Sequence, residues 1–216
     1  MIKLYSYYRS SSAWRVRIAL HLKAIEHQLV PVHLVRDGGE QHATAFTEKN
    51  PLAQVPVLEL DDGAALFRLT QSMAILEYLE ERWPSPALLP REPELRARAR
   101  QLAEMVNSGI QPLQNLKLQN ELRKLQIDPI PLVRGFIESG LRALEQVATE
   151  CAGRFLVADS VSLADLYLIP QLGYARRIGV PLEPFPLLTR VEKECAPLAA
   201  FQAAHPDAQP DHEPTA

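Results

Sequence analysis

Three adjacent hydroxyls, Ser10-Ser11-Ser12, stand where a short alternating strand gives way to a helical pattern. Ile2 and Leu4 share one face of that strand, Lys3 and Tyr5 the other, and Val16, Ala19 and Leu20 follow at helical spacing. Serine oxygens at such a junction accept the orphan amides of the first helical turn. The same helix start presents free N–H groups and a positive dipole end, which is a seat for an anion. The run alone leaves an ordinary cap and an anion site equally open. A second unusual position is Pro56, at the head of the apolar stretch Val55–Leu60. Proline cannot donate to a sheet ladder. A cis Val55–Pro56 bond would turn the Val55 N–H and C=O toward something other than the sheet, whereas a trans proline would simply mark an edge.

These residues need elements to hold them. After the first helix, Glu26 to Val35 alternates, and Pro31 within it argues for an edge strand. Asp37-Gly38-Gly39 is a turn, Gln41–Lys49 a short helix, and Asp61-Asp62-Gly63 joins two apolar runs as a hairpin. Gln71-Ser72 opens a further helix carrying Met73, Leu76 and Leu79. The order is β-α-β-α-β-β-α, a compact α/β unit expected over residues 1–83. Four prolines between 84 and 93 mark the linker. Residues 94–216 are expected to form an all-helical domain. Its first long helical stretch, Leu95–Leu125, is interrupted by Gly109 and Pro112, and Leu132–Glu150 follows. Ser162-Leu163-Ala164-Asp165 starts the next helix as a capping box, and Leu187–Ala204 reads as the last. The polar, proline-bearing tail after His205 is expected to be loosely held.

The chain has 216 residues, 47% of them hydrophobic and 23% charged, with a formal net charge of −3. That composition supports a buried core and gives no basic surface of the kind nucleic-acid binding requires. Neither a secretion leader nor an apolar run long enough to span a membrane is expected. Cys151 and Cys195 form no C-x-x-C and have no metal-ligand neighbourhood. They read as reduced thiols of a cytoplasmic protein without a metal site, and a thioredoxin-type reductase is excluded.

A thioredoxin-like α/β domain followed by an all-helical domain resembles the cytosolic glutathione transferases over essentially the whole chain. Tyr8-Arg9-Ser10-Ser11-Ser12-Ala13-Trp14-Arg15-Val16-Arg17 resembles the S-S-C-x-W-R-V-R signature of the zeta class. Asn50-Pro51-Leu52-Ala53-Gln54-Val55-Pro56 is similar to the segment holding that family's cis-proline, and Ile110–Leu116 and Phe201–Pro206 also match. The resemblance implies a glutathione-dependent cis-trans isomerase acting on a small unsaturated dicarboxylate, maleylacetoacetate, as a cytoplasmic homodimer. Maleylpyruvate isomerisation, or general conjugation of small electrophiles, are the alternatives it carries. One departure is visible: Ser12 stands where the signature has cysteine, which puts side chemistry through a protein thiol in doubt.

Isomerisation of that kind requires a nucleophile that adds, allows rotation and leaves again. Only a thiolate attacks, and a free thiol with a pKa near roughly 8.5 is mostly protonated at neutral pH. A hydroxyl donating to sulfur stabilises the anion by about 1.5–3 kcal/mol, on the order of one to two pKa units. The resemblance gives this part to Ser10 or Ser11, with Ser10 favoured. It implies that Val55 pairs with the glutathione backbone and that Gln71 and Ser72 hold its γ-glutamyl carboxylate, in line with anion binding at a helix start. Gln41, Gln111 and Asn115 match further glutathione-binding positions. Gln111 and Asn115 also read as a polar face beside a proline kink. Arg9 and Arg177 are assigned to the substrate carboxylates, because a guanidinium fork fits them. Arg15 and Arg17 read as helix-surface or structural residues, and Arg176 as a solvated neighbour of Arg177.

Overall fold

The computed structural model describes residues 1–63 and 65–213. Two compact units divide at Pro86/Ala87, inside the proline cluster, and the chain from Leu198 onward belongs to the first unit. The expected assignment of everything after residue 93 to the second domain therefore differs from the packing observed.

In the first unit, β1 (Ile2–Ser6), α1 (Ser11–Leu22), β2 (Gln28–Pro31), α2 (Thr44–Thr47), β3 (Val57–Asp61), β4 (Leu66–Thr70) and α3 (Ser72–Arg82) follow in the expected order. The sheet runs β2-β1-β3-β4 and is mixed. β1 lies parallel to β2, with Tyr5 opposite Val30, and antiparallel to β3, with Leu4 opposite Leu58. Pro31 closes the edge strand β2, where its missing N–H costs no ladder bond. Between β3 and β4 the chain turns through Asp61 to Gly63, whose φ of +86° suits glycine. α1 is buried on all sides from Ala13 to Leu20 because it packs against α3 and against α9 (Ala199–Ala204) of the chain's end.

Among the described residues the second unit is all helical apart from an isolated bridge between Ala152 and Ala158. It comprises α4 (Pro93–Asn107), α5 (Leu116–Lys124), α6 (Pro129–Ala148), α7 (Leu163–Arg177) and α8 (Pro186–Cys195). A 3₁₀ turn at Gln111–Gln114 separates α4 from α5, as Gly109 and Pro112 require. The final helix expected over Leu187–Ala204 is instead two, α8 and α9, because Pro197 cannot continue an α-helical ladder. At the core, α4 packs on α7, and Leu102, Val106, Leu166 and Leu172 are all fully buried. α7 begins at the expected capping box. Asp165 is fully buried and its carboxylate accepts from Ser162 N (2.7 Å), Ser162 Oγ (3.1 Å) and Leu156 N (2.9 Å). Burial still outweighs those donors and pushes its pKa up to about 6. No helix among the described residues is long and apolar enough to cross a membrane.

Candidate active site

The serine run sits where the sequence places it. Ser10 is the N-cap of α1, with extended backbone (φ −72°, ψ 115°), and its Oγ accepts from Ala13 N at 3.2 Å. Ser11 is the first helical residue. Ser12 Oγ lies 3.0 Å from Ser10 Oγ and donates to the carbonyl of Val55 at 3.1 Å. Each hydroxyl has one proton, so these contacts fix the direction of the chain. Ser12 spends its proton on Val55, and the proton of Ser10 therefore goes to Ser12 Oγ. Ser10 accepts from Ala13 N and donates to a neutral hydroxyl, an acceptor that an anionic ligand outcompetes for the same proton.

Val55 belongs to the same cluster. The Val55–Pro56 bond is cis, and Asn50 shapes the approach to it by donating to Gln54 O (2.6 Å) and accepting from Leu52 N (3.1 Å). Tyr7, another hydroxyl in the loop, is packed into the core with Tyr5, Val32 and Phe46, and burial pushes its phenol up to about 12. It holds its proton at neutral pH. Arg9 is half-buried, with its guanidinium carbon 5.1 Å from the ring centre of Tyr8.

Gln71 and Ser72 form the second helix start. Gln71 has φ +67°, a strained backbone for a side chain of that type and a frequent mark of a binding position. Ser72 is buried and its Oγ accepts from Arg15 Nη1 at 3.2 Å, so α1 and α3 are joined beneath their N-termini. Gln41 is buried too. Its Nε2 donates to Leu34 O (3.2 Å), while its Oε1 is buried without a hydrogen-bond partner, an acceptor in need of a donor. Gly39, at φ +101°, lets the chain pass against that side chain, where a Cβ would strike the Gln41 amide.

The second unit holds the other expected residues. Gln111 is half-buried on the 3₁₀ turn, and Asn115 caps α5 by accepting from Lys117 N at 2.9 Å. Arg177 lies at the end of α7 with its guanidinium carbon 4.7 Å from the ring centre of Tyr174. Arg176 is solvent-exposed, as expected, and pairs through both terminal nitrogens with Glu192. Around Tyr174 runs a polar network that the sequence did not announce. Gln119 donates to Tyr174 Oη (2.9 Å) and Gln114 O (2.8 Å), and Gln171 donates to Gln114 Oε1 (2.9 Å).

Two family models match the chain, the glutathione S-transferase N-terminal domain over residues 9–82 and the glutathione S-transferase C-terminal domain over 138–198. Maleylacetoacetate isomerase of Rattus norvegicus is 46% identical over 208 residues, 96% of this chain and 94% of that one. A zeta-class glutathione S-transferase of Euphorbia esula is 44% identical over 219 residues, 100% of this chain and 95% of that one. The chain belongs to the zeta-class glutathione S-transferases. Among solved structures, the maleylacetoacetate isomerase of Anaeromyxobacter dehalogenans 2CP-1, with glutathione bound in its active site, superposes with a TM-score of 0.91. It is 51% identical, the match covering 99% of this chain and 98% of that one.

Within this zeta-class chain Arg15 and Arg17, expected to be helix-surface or structural, are structural. Arg15 and Arg17 are fully buried, so neither is a helix-surface residue. The available signal was their position inside Ala13–Leu20, a stretch apolar enough to be enclosed on every side and without an acidic residue.

Proposed function

We propose that the protein converts maleylacetoacetate to fumarylacetoacetate, using glutathione as a coenzyme that is not consumed. The observation that carries this reading is the directed hydroxyl chain at the start of α1, in which Ser10 accepts from Ala13 N and its proton rests on the neutral Ser12 oxygen, from which a thiolate draws it. Ser10 then holds the anionic form of a thiol with a charge-assisted bond, and the helix start adds a smaller effect of the same sign. Ser11 stands next to it on the same turn as the lesser candidate.

The residues present fit glutathione. The buried, unpartnered Gln41 Oε1 suits an N–H donor of the tripeptide, and Val55 offers backbone groups beside the cis-proline. Gln71 and Ser72, at the start of the eleven-residue α3, suit its γ-glutamyl carboxylate. Gln111 and Asn115 supply polar contacts from the helical unit. When bound, the tripeptide contributes a sulfur nucleophile that is regenerated at the end of turnover. Arg9 and Arg177 hold the two carboxylates of the substrate, and the stacking of each guanidinium on a tyrosine ring limits its freedom before substrate arrives. The protein acts in the cytoplasm as a homodimer. Exposed Phe67 on the edge strand β4, with Tyr78 5.2 Å away between ring centres, offers an aromatic patch to the second copy.

The test supplies maleylacetoacetate and maleylpyruvate in parallel with catalytic glutathione. Faster conversion of the first, at constant glutathione concentration, is expected. Faster conversion of the second reassigns the substrate. Conversion of neither, with glutathione lost to chloro-acids or aryl halides, makes the protein a conjugating transferase instead.

A further inference from the structure

Residues 198–213 are not loose. From Leu198 they pack with the first unit, and Asp211 reaches the loop that leads to the serines. Gln209 is buried and donates to Ala203 O (2.9 Å) and His205 O (2.8 Å), which folds the strap on itself. The His205 ring lies edge-on to Trp14 of α1 at 5.1 Å, and that of His212 edge-on to Tyr8 at 5.4 Å. Asp211 Oδ2 accepts from Tyr8 N at 3.0 Å, while its Oδ1 is buried without a hydrogen-bond partner.

The opposite side of the same loop is held by Arg17. Its guanidinium donates to Ser6 Oγ (2.9 Å), Tyr7 O (3.3 Å), Tyr8 O (3.0 Å) and Ala204 O (3.1 Å). Burial lowers its pKa to about 9, and Asp211 opposes that shift as its acidic neighbour, so Arg17 remains a cation at neutral pH. The Tyr7 carbonyl that receives Arg17 also accepts from Ser10 N at 2.9 Å. Tyr8 is thus gripped by its N–H from Asp211 and by its C=O from Arg17, two residues before the serine.

We propose that Asp211 is a positioning residue for Ser10, its carboxylate fixing the Tyr8 amide so that the loop presents the serine hydroxyl at the geometry a thiolate requires. This rests on the reading of Ser10 as the thiolate's donor. The role is geometric, since a carboxylate near a thiolate would by charge alone disfavour it. Other charged groups around Asp211 are already matched. His212 lies 3.3 Å from Asp207, and Glu213 pairs with Arg36 and lies 3.5 Å from His33.

The test titrates the ultraviolet absorbance of enzyme-bound glutathione thiolate in full-length wild type, Asp211→Ala, Asp211→Asn and Ser10→Ala, alongside turnover. In Asp211→Ala the bound thiol's pKa is expected to rise by about one unit and kcat to fall about ten-fold, with KM for the dicarboxylate unchanged. Asp211→Asn keeps an oxygen for the Tyr8 N–H and is expected to restore most of both. Asp211→Glu keeps the charge but moves it outward by one methylene, and a similar rise in thiol pKa is expected; it carries the test if Asp211→Ala does not accumulate. A wild-type thiol pKa in Asp211→Ala or Asp211→Glu, or an Asp211→Asn as impaired as Asp211→Ala, overturns the proposal. If Ser10→Ala also leaves the thiol pKa at its wild-type value, the serine assignment itself has failed. If Ser10→Ala raises it and Asp211→Ala does not, only the positioning role is lost.

Discussion

Replacing Ser10 removes two things that its geometry keeps separate. Its oxygen accepts from Ala13 N at 3.2 Å, and its proton rests on Ser12 Oγ until an anionic acceptor takes it. Loss of an N-cap serine to alanine costs about 1 kcal/mol, which lowers Tm by roughly 2–4 °C in a chain of this size. Loss of that donor removes about 1.5–3 kcal/mol of thiolate stabilisation, so the bound thiol returns from about 7 toward about 8.5. At neutral pH the ionised fraction then falls from about half to a few per cent, and the rate falls with it. Glycine separates the two effects, because at an N-cap it costs only a few tenths of a kcal/mol relative to serine. Ser10→Gly is therefore expected to melt near wild type yet to match Ser10→Ala in thiol pKa and in kcat. Calorimetry and the thiolate titration read the two quantities independently. A Ser10→Gly enzyme that retains the wild-type thiol pKa would refute the reasoning. If Ser11→Gly showed the loss instead, the donor would be the first helical residue and not the cap.

Ser12→Ala strips the Val55 carbonyl of its donor and is expected to cost about 1 kcal/mol, read as a lower denaturant midpoint with unchanged slope. Arg177→Lys keeps the charge but loses the fork and the stacking on Tyr174, and should raise KM for the dicarboxylate about ten-fold while leaving KM for glutathione alone. Asp165 carries a pH signature. Its folded pKa of about 6 lies above the ordinary 3.8, so its contribution is fully present below about pH 4 and is lost as pH rises through 6. Wild type is expected to gain up to about 3 kcal/mol from this group on acidification, and Asp165→Asn to lack that slope. Equal slopes in pH-dependent unfolding would disprove it. Asp165→Ala is expected to destabilise by about 2–4 kcal/mol at neutral pH, and by more on acidification, because Ser162 N and Leu156 N lose their acceptor in the core.

The first unit's element order and its hairpin were legible because period-2 apolar runs and glycine turns are local signals. Pro31 announced an edge strand, and Gly109 and Pro112 the break between α4 and α5, each through its own backbone chemistry. Pro197 carried the same information and divides what otherwise reads as one helix. The serine cap was legible, but the direction of its hydroxyl chain was not. That depends on the Val55 carbonyl, 43 residues away from Ser12. The partners of Arg17 and Asp211 were hidden for the same reason. The apolar run Ala13–Leu20 marks Arg17 for burial, but which distant groups it meets has no local signal. The tail's polar, proline-bearing composition argued for looseness, and its long-range bonds to Tyr8 reverse that expectation.

The return of the chain's end to its beginning also sets the order in which the protein can be completed. Tyr8 and Asp211 are 203 residues apart, and Arg17 and Ala204 are 187. A ribosome makes the strand, the serine loop and α1 first, and releases the residues that clamp them last, tens of seconds later at slower bacterial or eukaryotic elongation rates. Throughout that interval the buried cation Arg17 lacks the Ala204 carbonyl, and the Tyr8 amide lacks its acceptor. The nascent first domain can thus assemble its sheet on its own, but its reactive loop reaches final geometry only after residues 204–211 have been made.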